Sequence, residues 1–302
     1  MPTSPLNALR TFEAVASRLS FARGAEALNV TPAAVSSQIR ALEDRLNQPL
    51  FNRQGRQISL TEAGQKLLPG VQRGLAELRQ AVEVVSQESL EGVLNVSMMP
   101  LFLQKWLMPR LAGFYGVNPE IDVRINVDNA MVDFNQSDMH AAVRLGGGNW
   151  KGVRSVKLMD DWILPVCSRR LLGKIGPIES VEDLHQHGLL FAPSEVWDPW
   201  FRKFGESSRD KRWTVLNDSL SILMAAEQGD GIALTRWSLV ARDIGARRLV
   251  RPIDTLVKTD WSHYFVAPPQ FFELPRVAAF RDWLRDHCER FKPPPEKAKQ
   301  NT

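Results

Sequence analysis

Apolar residues recur at helical spacing three times within the first fifty positions. Leu6, Leu9, Phe12 and Val15 form the first stripe and predict a helix over 6–16. Ser20 precedes the second stripe and Thr31-Pro32 the third; hydroxyl side chains cap helix N-termini, and proline suits the first helical position. Asn47 stands where the third stripe ends, and asparagine tolerates the left-handed conformation of a C-terminal cap. The pattern predicts three short helices.

The second and third helices are joined by residues 29–31, which is the spacing of a helix-turn-helix. Val35, Ile39 and Leu42 form an apolar face that would hold the third helix down, so that short polar side chains opposite it can approach base edges in the major groove. A plain three-helix bundle with a solvated polar face has the same periodicity. The DNA-reading interpretation assigns base contacts to Thr31, Pro32, Ala33, Ser36, Ser37 and Arg40.

Residues 50–60 read as two short strands around a turn at Gly55. Arg53 and Arg56 flank the tip of this predicted wing, where guanidinium groups can clamp DNA phosphates. Residues 1–60 carry seven arginines against four acidic residues, a balance that permits nucleic-acid binding without demonstrating it. We therefore predict a DNA-binding domain over 1–60.

From Thr61 the pattern becomes one long helix, with a linker and dimerisation role predicted over 61–89. Its apolar residues alternate spacings of three and four, as in the a/d seam of a coiled coil: Leu68, Val71, Leu75, Leu78, Val82 and Val85. The stripe is shorter than three heptads, so an amphipathic surface helix is the alternative. Pro69 is expected to kink the helix, since an interior proline lacks a hydrogen-bond donor.

Beyond position 92, apolar runs alternate with helical patterns. Strands are predicted at 93–98, 121–127, 141–145, 162–167, 189–191 and 232–234, and helices at 102–115, 219–227 and 274–290. Alternating elements of this kind predict two α/β lobes. The fold class is therefore α plus α/β: a winged helix-turn-helix, a long linker helix and a two-lobed domain over 93–302.

Composition indicates the cellular compartment in which we expect the protein. The 302 residues are 44% hydrophobic and 24% charged, with a net charge of +4. No apolar run reaches membrane-spanning length, and two isolated cysteines fit a reducing compartment, so we expect a cytoplasmic protein without a membrane partner.

The order of the N-terminal parts resembles the LysR-type transcriptional regulators. Residues 20–31 are similar to that family's second helix and turn, 34–43 to its recognition helix, 49–53 to its wing, and 60–64 to the start of its linker helix. Two positions depart from the family pattern. Pro32 stands where a polar DNA-contacting residue is common, and Asn47 replaces the usual glycine. The resemblance implies that the linker helix pairs two chains.

Residues 93–302 resemble the family's periplasmic-binding-protein-like effector domain. The segments Trp106–Leu111 and Ala141–Gly146 are most similar to its glycine-cleavage-activator-like branch. The resemblance implies that one lobe holds 93–161 and 266–292, that 162–265 forms the other, and that a small effector binds in the cleft between them.

Cleft residues are predicted from topology, because ligands of open α/β sheets lie beyond the carboxyl ends of the strands. This rule nominates Ser97, Met98, Met99, Pro100, Leu101, Phe102, Asp128, Arg144, Trp197, Trp200, Ser219 and Thr235. The apolar run after Ser97 favours a ligand more apolar than an amino acid, with the two tryptophans as walls. Arg144 is a candidate partner for an anionic group, or for an acid of its own lobe. Lobe-to-lobe packing without any ligand is the alternative.

Signatures of catalysis are lacking: there is no Gly-x-Ser-x-Gly, no P-loop and no His-Glu-x-x-His. His185-Gln186-His187 is interpreted as an exposed loop rather than a metal site. We therefore expect no enzyme, no cofactor and no metal, but a sequence-specific regulator that binds a pseudo-palindromic DNA operator as a homodimer or homotetramer and responds to a small effector. RNA polymerase is a further candidate partner. The alternative is a cytosolic solute-binding or enzymatic α/β protein with a helical extension.

Overall fold

The computed structural model of the chain describes residues 5–54, 57–85, 90–191, 197–206 and 213–295. These residues divide into two compact units. The first contains the described residues up to position 85 together with Val132–Asp138, and the second contains the others. No described helix is both long enough and apolar enough to cross a lipid bilayer.

The first unit opens with the three predicted helices, α1 (Pro5–Ala16), α2 (Phe21–Leu28) and α3 (Pro32–Leu46). Ser20 and Thr31 are their N-caps, since each side-chain oxygen accepts an amide N–H from the first turn of the following helix, at 3.3 and 3.2 Å. Asn29 and Asn47 end α2 and α3 in the left-handed conformation, with φ of 52° and 48°. The local sequence thus sets these helix ends through side-chain chemistry.

The core of the first unit forms where the apolar stripes of these helices meet. Phe12, Val15, Val35 and Ile39 are completely buried. The outer ends of the predicted stripes are exposed instead: Leu6 is 45% exposed and Leu46 is 43% exposed.

The predicted wing is present as an antiparallel hairpin of β1 (Phe51–Gln54) and β2 (Gln57–Leu60), with Phe51 opposite Leu60. Its predicted tip residue Arg56 lies outside the described residues, and so does the side chain of Arg53. The chain then enters α4 (Glu62–Val85), which includes Pro69. Residues 86–89 of the predicted linker are likewise outside the described part of the chain.

The second unit is built on one mixed sheet. Its strands in the described chain are β3 (Gly92–Met98), β4 (Ile121–Val127), β5 (Ala141–Gly146), β6 (Arg154–Ser168), β7 (Leu189–Phe191), β8 (Trp213–Val215), β9 (Ile232–Arg236), β10 (Leu249–Val250) and β11 (Val257–Ala267). The order is β4-β3-β5-β11-β6-β9-β7-β8, and β10 pairs with β6. Strands β3, β4 and β5 run parallel at one end, which we call lobe I, and β7, β8 and β9 run parallel at the other, which we call lobe II.

The long antiparallel strands β6 and β11 join the two lobes. The predicted strand at 162–167 is only the second half of β6, and β11 was not predicted at all. Lys258, Asp260 and Ser262 alternate with other residues along β11, so it lacks the apolar run that marked the buried strands. The predicted lobe boundaries, at 161/162 and 265/266, fall within these two strands.

Helices cover the sheet: a π-helix (Phe102–Leu107), α5 (Met108–Val117), α6 (Arg169–Ile175), a 3₁₀ helix (Glu182–Gln186), α7 (Trp197–Arg202), α8 (Ser219–Gln228), α9 (Trp237–Gly245), α10 (Pro269–Phe272) and α11 (Pro275–Glu289). The single helix predicted over 102–115 is thus two elements. Pro109 offers no N–H to a preceding carbonyl, while the amide of Met108 donates to the carbonyl of Leu103, a π-type bond.

Candidate functional site

The two faces of α3 differ sharply in burial. Val35, Ile39 and Leu42 are buried in the first unit, as predicted. The opposite face carries the predicted DNA-contacting residues: Thr31, Pro32, Ala33, Ser37 and Arg40 are exposed, and Ser36 is half-buried. A helix seated on its apolar face and bearing short polar side chains outward has the form of a recognition helix for the major groove.

The wing is tied to α3 by a contact that the sequence did not predict. Oε1 of Glu43 accepts the amide N–H groups of Leu50 and Phe51 at 2.8 and 3.3 Å. The carboxylate therefore fixes the start of β1 against the recognition helix. Phe51 in turn packs against the rings of Phe12 and Phe21, with centroids 5.5 and 5.6 Å away.

The apolar stripe of α4 has two parts. Val71 is buried and Leu68 and Leu75 are half-buried, and all three pack in the core of their own unit. Leu78 is 49% exposed and Val82 is 68% exposed, whereas the side chain of Val85 lies outside the description. Among the described residues of the predicted seam, Leu78 and Val82 in the second part are exposed, whereas the first part packs in the core that α1–α3 form.

The carboxyl ends of β3, β4 and β5 lie together at one edge of lobe I, because the three strands are parallel and in register. They bring together three predicted cleft residues: Ser97 near the end of β3, Asp128 just after β4, and Arg144 near the end of β5. Asp128 is exposed, and its amide donates to the Met98 carbonyl at 3.0 Å. Ser97 and Arg144 are buried.

The Arg144 guanidinium binds only neutral acceptors. Nη2 donates to the Ser97 hydroxyl at 2.7 Å and to the Ala130 carbonyl at 2.9 Å, and Nη1 donates to its neighbour's carbonyl, on Val143, at 2.9 Å. The Nε–H is buried without an acceptor among the described atoms. These bonds hold the loop after β4 onto the end of β3.

Among the described residues, Arg144 is a buried cation with no carboxylate in hydrogen-bond contact. Burial lowers the pKa of Arg144, and the more distant carboxylate of Asp128 opposes that shift. The sequence left open a pairing with an acid of the same lobe, but the hydrogen bonds of Arg144 within the described residues go to a hydroxyl and two carbonyls, not to a carboxylate. An incoming carboxylate or phosphate would therefore be attracted to this edge of lobe I.

The apolar segment after β3 contributes less to the cleft than predicted. Met98, Leu101 and Phe102 are buried in the hydrophobic core of the second unit, so they do not present a surface to a ligand in this structure. Met99 and Pro100 are half-buried. The apolar wall predicted from five consecutive residues is thus reduced to two.

The predicted aromatic walls are in the core of lobe II. Trp197 and Trp200 are completely buried, and they pack against each other and against Phe201. The Nε1–H of Trp197 donates to the Leu190 carbonyl at 2.8 Å. The prediction that they line the cleft is corrected accordingly: they fill the space between α7 and the sheet, because large aromatic side chains gain most from full burial.

Two further predicted cleft residues belong to lobe II. Ser219 is half-buried at the first position of α8, which Asp218 caps through the amides of Leu220 and Ser221. Thr235 is buried on β9, opposite Leu164 of β6. Ser219 starts the helix that follows β8, and Thr235 lies near the carboxyl end of β9. These are the positions at which the topology rule expects ligand contacts.

A buried polar cluster, which the sequence did not predict, lies where the lobes join. Asp161 of β6, Ser238 of α9 and His263 of β11 are all within hydrogen-bond distance of one another. Oδ2 of Asp161 accepts from Ser238 Oγ at 2.6 Å and lies 3.0 Å from Nε2 of His263. Burial alone would raise the pKa of Asp161, but the bonds from His263 and Ser238 outweigh it and hold that pKa below its ordinary value.

The same three residue types form hydrolytic triads, but this geometry is different. Asp161 and Ser238 both contact Nε2 of His263, whereas in a triad the carboxylate and the hydroxyl bind opposite ring nitrogens. Nδ1 of His263 has no partner among the described atoms, and its ring lies 5.1 Å from that of Phe102. The cluster fastens β6, β11 and α9 together.

The pair His185 and His187 was predicted to lie in an exposed loop. His185 is instead buried in the 3₁₀ helix and stacks on Phe201, with ring centroids 4.4 Å apart, while His187 is half-buried. Within the described ranges, no three histidine, cysteine, aspartate or glutamate side chains are placed to hold a metal ion.

Comparisons with known proteins agree with this geometry. Residues 6–65 match the model of the bacterial regulatory helix-turn-helix protein, lysR family, and residues 87–289 match the LysR substrate binding domain. The glycine cleavage system transcriptional activator of Escherichia coli K12 is 39% identical over 282 residues, covering 93% of this chain and 92% of the relative. The transcriptional activator AmpR of Pseudomonas aeruginosa is 36% identical over 286 residues, covering 94% and 95%.

Solved structures show the same architecture. The effector domain of Pseudomonas aeruginosa AmpR superposes with a TM-score of 0.58 at 31% identity, covering 66% of this chain and 96% of that domain. The full-length virulence activator AphB of Vibrio cholerae has a TM-score of 0.59 at 22% identity, covering 93% of this chain and 98% of AphB. The likeness to AphB bears on the fold alone.

These matches exclude the solute-binding or enzymatic alternative, because the relatives are transcriptional regulators along nearly their whole length. The winged helix-turn-helix and the effector domain are therefore parts of one regulator rather than a carrier protein with a helical extension. The chain belongs to the LysR family of transcriptional regulators, and it is a DNA-binding regulator with a C-terminal effector-binding domain, not an enzyme.

Proposed function

We propose that this regulator binds a pseudo-palindromic operator as a homodimer or homotetramer, with α3 of each chain in a major groove. The observation that carries the proposal is the exposed polar face of α3, set opposite the buried Val35, Ile39 and Leu42. Ser36, Ser37 and Arg40 then contact base edges, while Arg53 and Arg56 of the wing contact phosphates. Such binding takes place in the cytoplasm, beside the chromosome.

The second half of α4 is the proposed contact between chains. Leu78 and Val82 are exposed one helical turn apart, where a second copy of the helix would bury them. The first half of the stripe supports the recognition domain instead. In this proposal α4 pairs two chains through its second half, and this pairing sets the distance between the two recognition helices. The same helix is followed in the chain by the effector domain.

We infer that the effector is a small organic anion bound at the lobe I edge. In the part of the chain that the structure describes, no carboxylate forms a hydrogen bond with the buried guanidinium of Arg144. The Ser97 hydroxyl accepts from that guanidinium at 2.7 Å, so its own hydrogen can be donated to an anion bound beside the cation. Carboxylate oxygens would replace the Ala130 carbonyl, which belongs to an exposed loop. The half-buried Met99 and Pro100 support an apolar body on the ligand, and the half-buried Ser219 supports a polar contact from lobe II. Thr235 is buried on β9 and the carboxylate of Asp128 would repel an anion, so neither belongs to this proposed site.

The relatives named above are transcriptional activators, which supports our proposal that this chain activates transcription and that RNA polymerase is one of its partners. The test is to select bound fragments from genomic DNA with the purified full chain. We expect a small set of pseudo-palindromic fragments that are enriched over random duplexes at about 0.15 M salt. Enrichment of a fragment without internal symmetry would count against the dimeric mode.

A further inference from the structure

An ion-pair cluster connects the two lobes of the effector domain at a distance from the proposed anion site. Lys105 is the centre of this cluster. Its Nζ lies 2.8 Å from Oε1 of Glu227 and 3.0 Å from Oδ2 of Asp243. Lys105 belongs to the π-helix of lobe I, whereas Glu227 and Asp243 belong to α8 and α9 of lobe II. One side chain therefore joins three helices across the lobes.

Lys105 and its two carboxylates are largely shielded from solvent, whereas the fourth member, Arg248, is 57% exposed and balances the charge from the surface. The Lys105 side chain is 19% exposed, that of Asp243 3% and that of Glu227 26%. Arg248 also binds Asp243, through Oδ1, so two cations face two carboxylates. Salt screens partly buried pairs of this kind less than exposed ones. Removal of the Lys105 charge would leave Glu227 without an ion-pair partner among the described residues and next to a second carboxylate.

The position of Lys105 ties the cluster to the ligand-binding edge. The π-helix begins four residues after β3, whose end carries Ser97. Its first residue, Phe102, packs against His263 of the buried polar cluster that also contains Asp161 and Ser238. A single turn of π-helix inside a longer helix is a frequent mark of a functional site. Only three residues separate the end of β3 from the π-helix, so a displacement at the end of β3 has a short covalent path to Lys105.

We propose that Lys105 is an interlobe latch, whose bonds to Glu227 and Asp243 hold lobes I and II in the arrangement seen here. These bonds contribute to the free-energy difference between this arrangement and a second one, and an effector has to overcome or reinforce that difference. A ligand shifts a two-state equilibrium only by its differential affinity for the two states. The strength of the latch therefore determines how tightly an effector must bind to change the regulator's state.

Hydrogen exchange on the full chain tests the latch without any ligand or DNA. The test variant is Lys105→Met, which keeps an apolar stem and removes the charge; Lys105→Arg keeps the charge. The matched control is Arg124→Met, which removes one cation of an exposed ion pair with Asp122 in lobe I. We expect exchange in the π-helix and in α9 to become about tenfold faster in Lys105→Met, with both segments changing together.

The same experiment contains the outcomes that would overturn the proposal. Lys105→Arg should behave as the unmodified chain, and Arg124→Met should leave both segments unchanged. If the exchange rate in α9 does not change in Lys105→Met, or if it rises equally throughout the second unit, the result contradicts a latch. If Lys105→Met does not fold, Glu227→Gln replaces it: faster exchange confined to the same two segments supports the latch, and unchanged exchange refutes it.

Discussion

Arg144 Nη2 and Ser97 Oγ lie 2.7 Å apart at the carboxyl ends of two neighbouring parallel strands, although 47 residues separate them in the chain. Among the described residues, the hydroxyl is the one side-chain acceptor of this guanidinium, whose other acceptors are backbone carbonyls. Loss of the planar set of donors at this point should therefore affect anion binding. The relationship underlies the first prediction.

Arg144→Lys should abolish stabilisation by small organic carboxylates, because a lysine keeps the charge but not the planar set of donors that grips a carboxylate. The measurement is thermal unfolding of the full chain with a panel of aliphatic and aromatic monocarboxylates. A ligand at a hundred times its dissociation constant adds about 2.7 kcal/mol to the unmodified protein. Ser97→Ala should weaken the same response. A panel in which only cations or neutral sugars stabilise the chain would refute the anion site.

Glu43→Ala should weaken binding to all duplexes to a similar extent. The carboxylate accepts two amide N–H groups at the start of β1, and their loss costs roughly 1–3 kcal/mol and releases the wing from α3. Fluorescence anisotropy with specific and random duplexes measures the effect. Glu26→Ala, an exposed acid on α2, is the control and should bind DNA as the unmodified chain does. A change confined to one operator sequence would show that Glu43 has another role.

Leu78→Glu should dissociate the oligomer while leaving the recognition domain folded. The residue is 49% exposed in the single chain, so the new charge becomes costly only when a second copy covers it. Leu75 is a poorer probe, because it packs in its own domain core. Sedimentation velocity compares Leu78→Glu with Arg73→Gln, an exposed α4 position that gives the same change in net charge. An unchanged oligomer in both variants would place the chain contact elsewhere.

Acid should remove a defined part of the stability of the second unit. Hydrogen bonds from Lys157, then Lys258 and Ser262, lower the pKa of Asp160 to about 2 despite some burial. A depressed carboxylate pKa stabilises the fold above its unfolded value near 4, and this contribution is lost as the pH falls from about 4 to 2. With partial solvent screening it amounts to roughly 1 kcal/mol. Asp160→Asn should therefore lower the free energy of unfolding at pH 7 and reduce its decline below pH 4, as urea titrations would show.

Short-range patterns carried most of the successful predictions. The caps Ser20, Thr31 and Asn47 act within four residues of their own positions, so the local sequence is enough to place them. The meeting of Ser97 and Arg144 was accessible because parallel strands align their ends. Family resemblance supplied the arrangement of domains, which periodicity alone would have left as a generic helical bundle and an α/β fold.

What sequence reasoning missed depends on long-range pairing. Asp161 lies 77 residues from Ser238 and 102 residues from His263 in the sequence. Its contact with His263 depends on β6 and β11 running side by side, and its contact with Ser238 depends on the packing of α9 against β6. The one available signal was an acid and a histidine within otherwise partly apolar strands. For Trp197 and Trp200 the sequence predicted a role in the site that the structure does not support. Aromatic residues after a strand suggested a pocket wall, but the two side chains are buried against Phe201.

The most direct test of the central claim, that the exposed face of α3 reads DNA sequence, is the base preference of the full chain after single changes on that face. Ser37→Ala and Arg40→Ala should alter which genomic fragments are enriched at about 0.15 M salt, whereas Ser17→Ala, at the end of α1, should enrich the same fragments as the unmodified chain. Each lost base contact should cost about 1–3 kcal/mol at one position of the site. Identical enriched sequences in all four proteins would contradict the account.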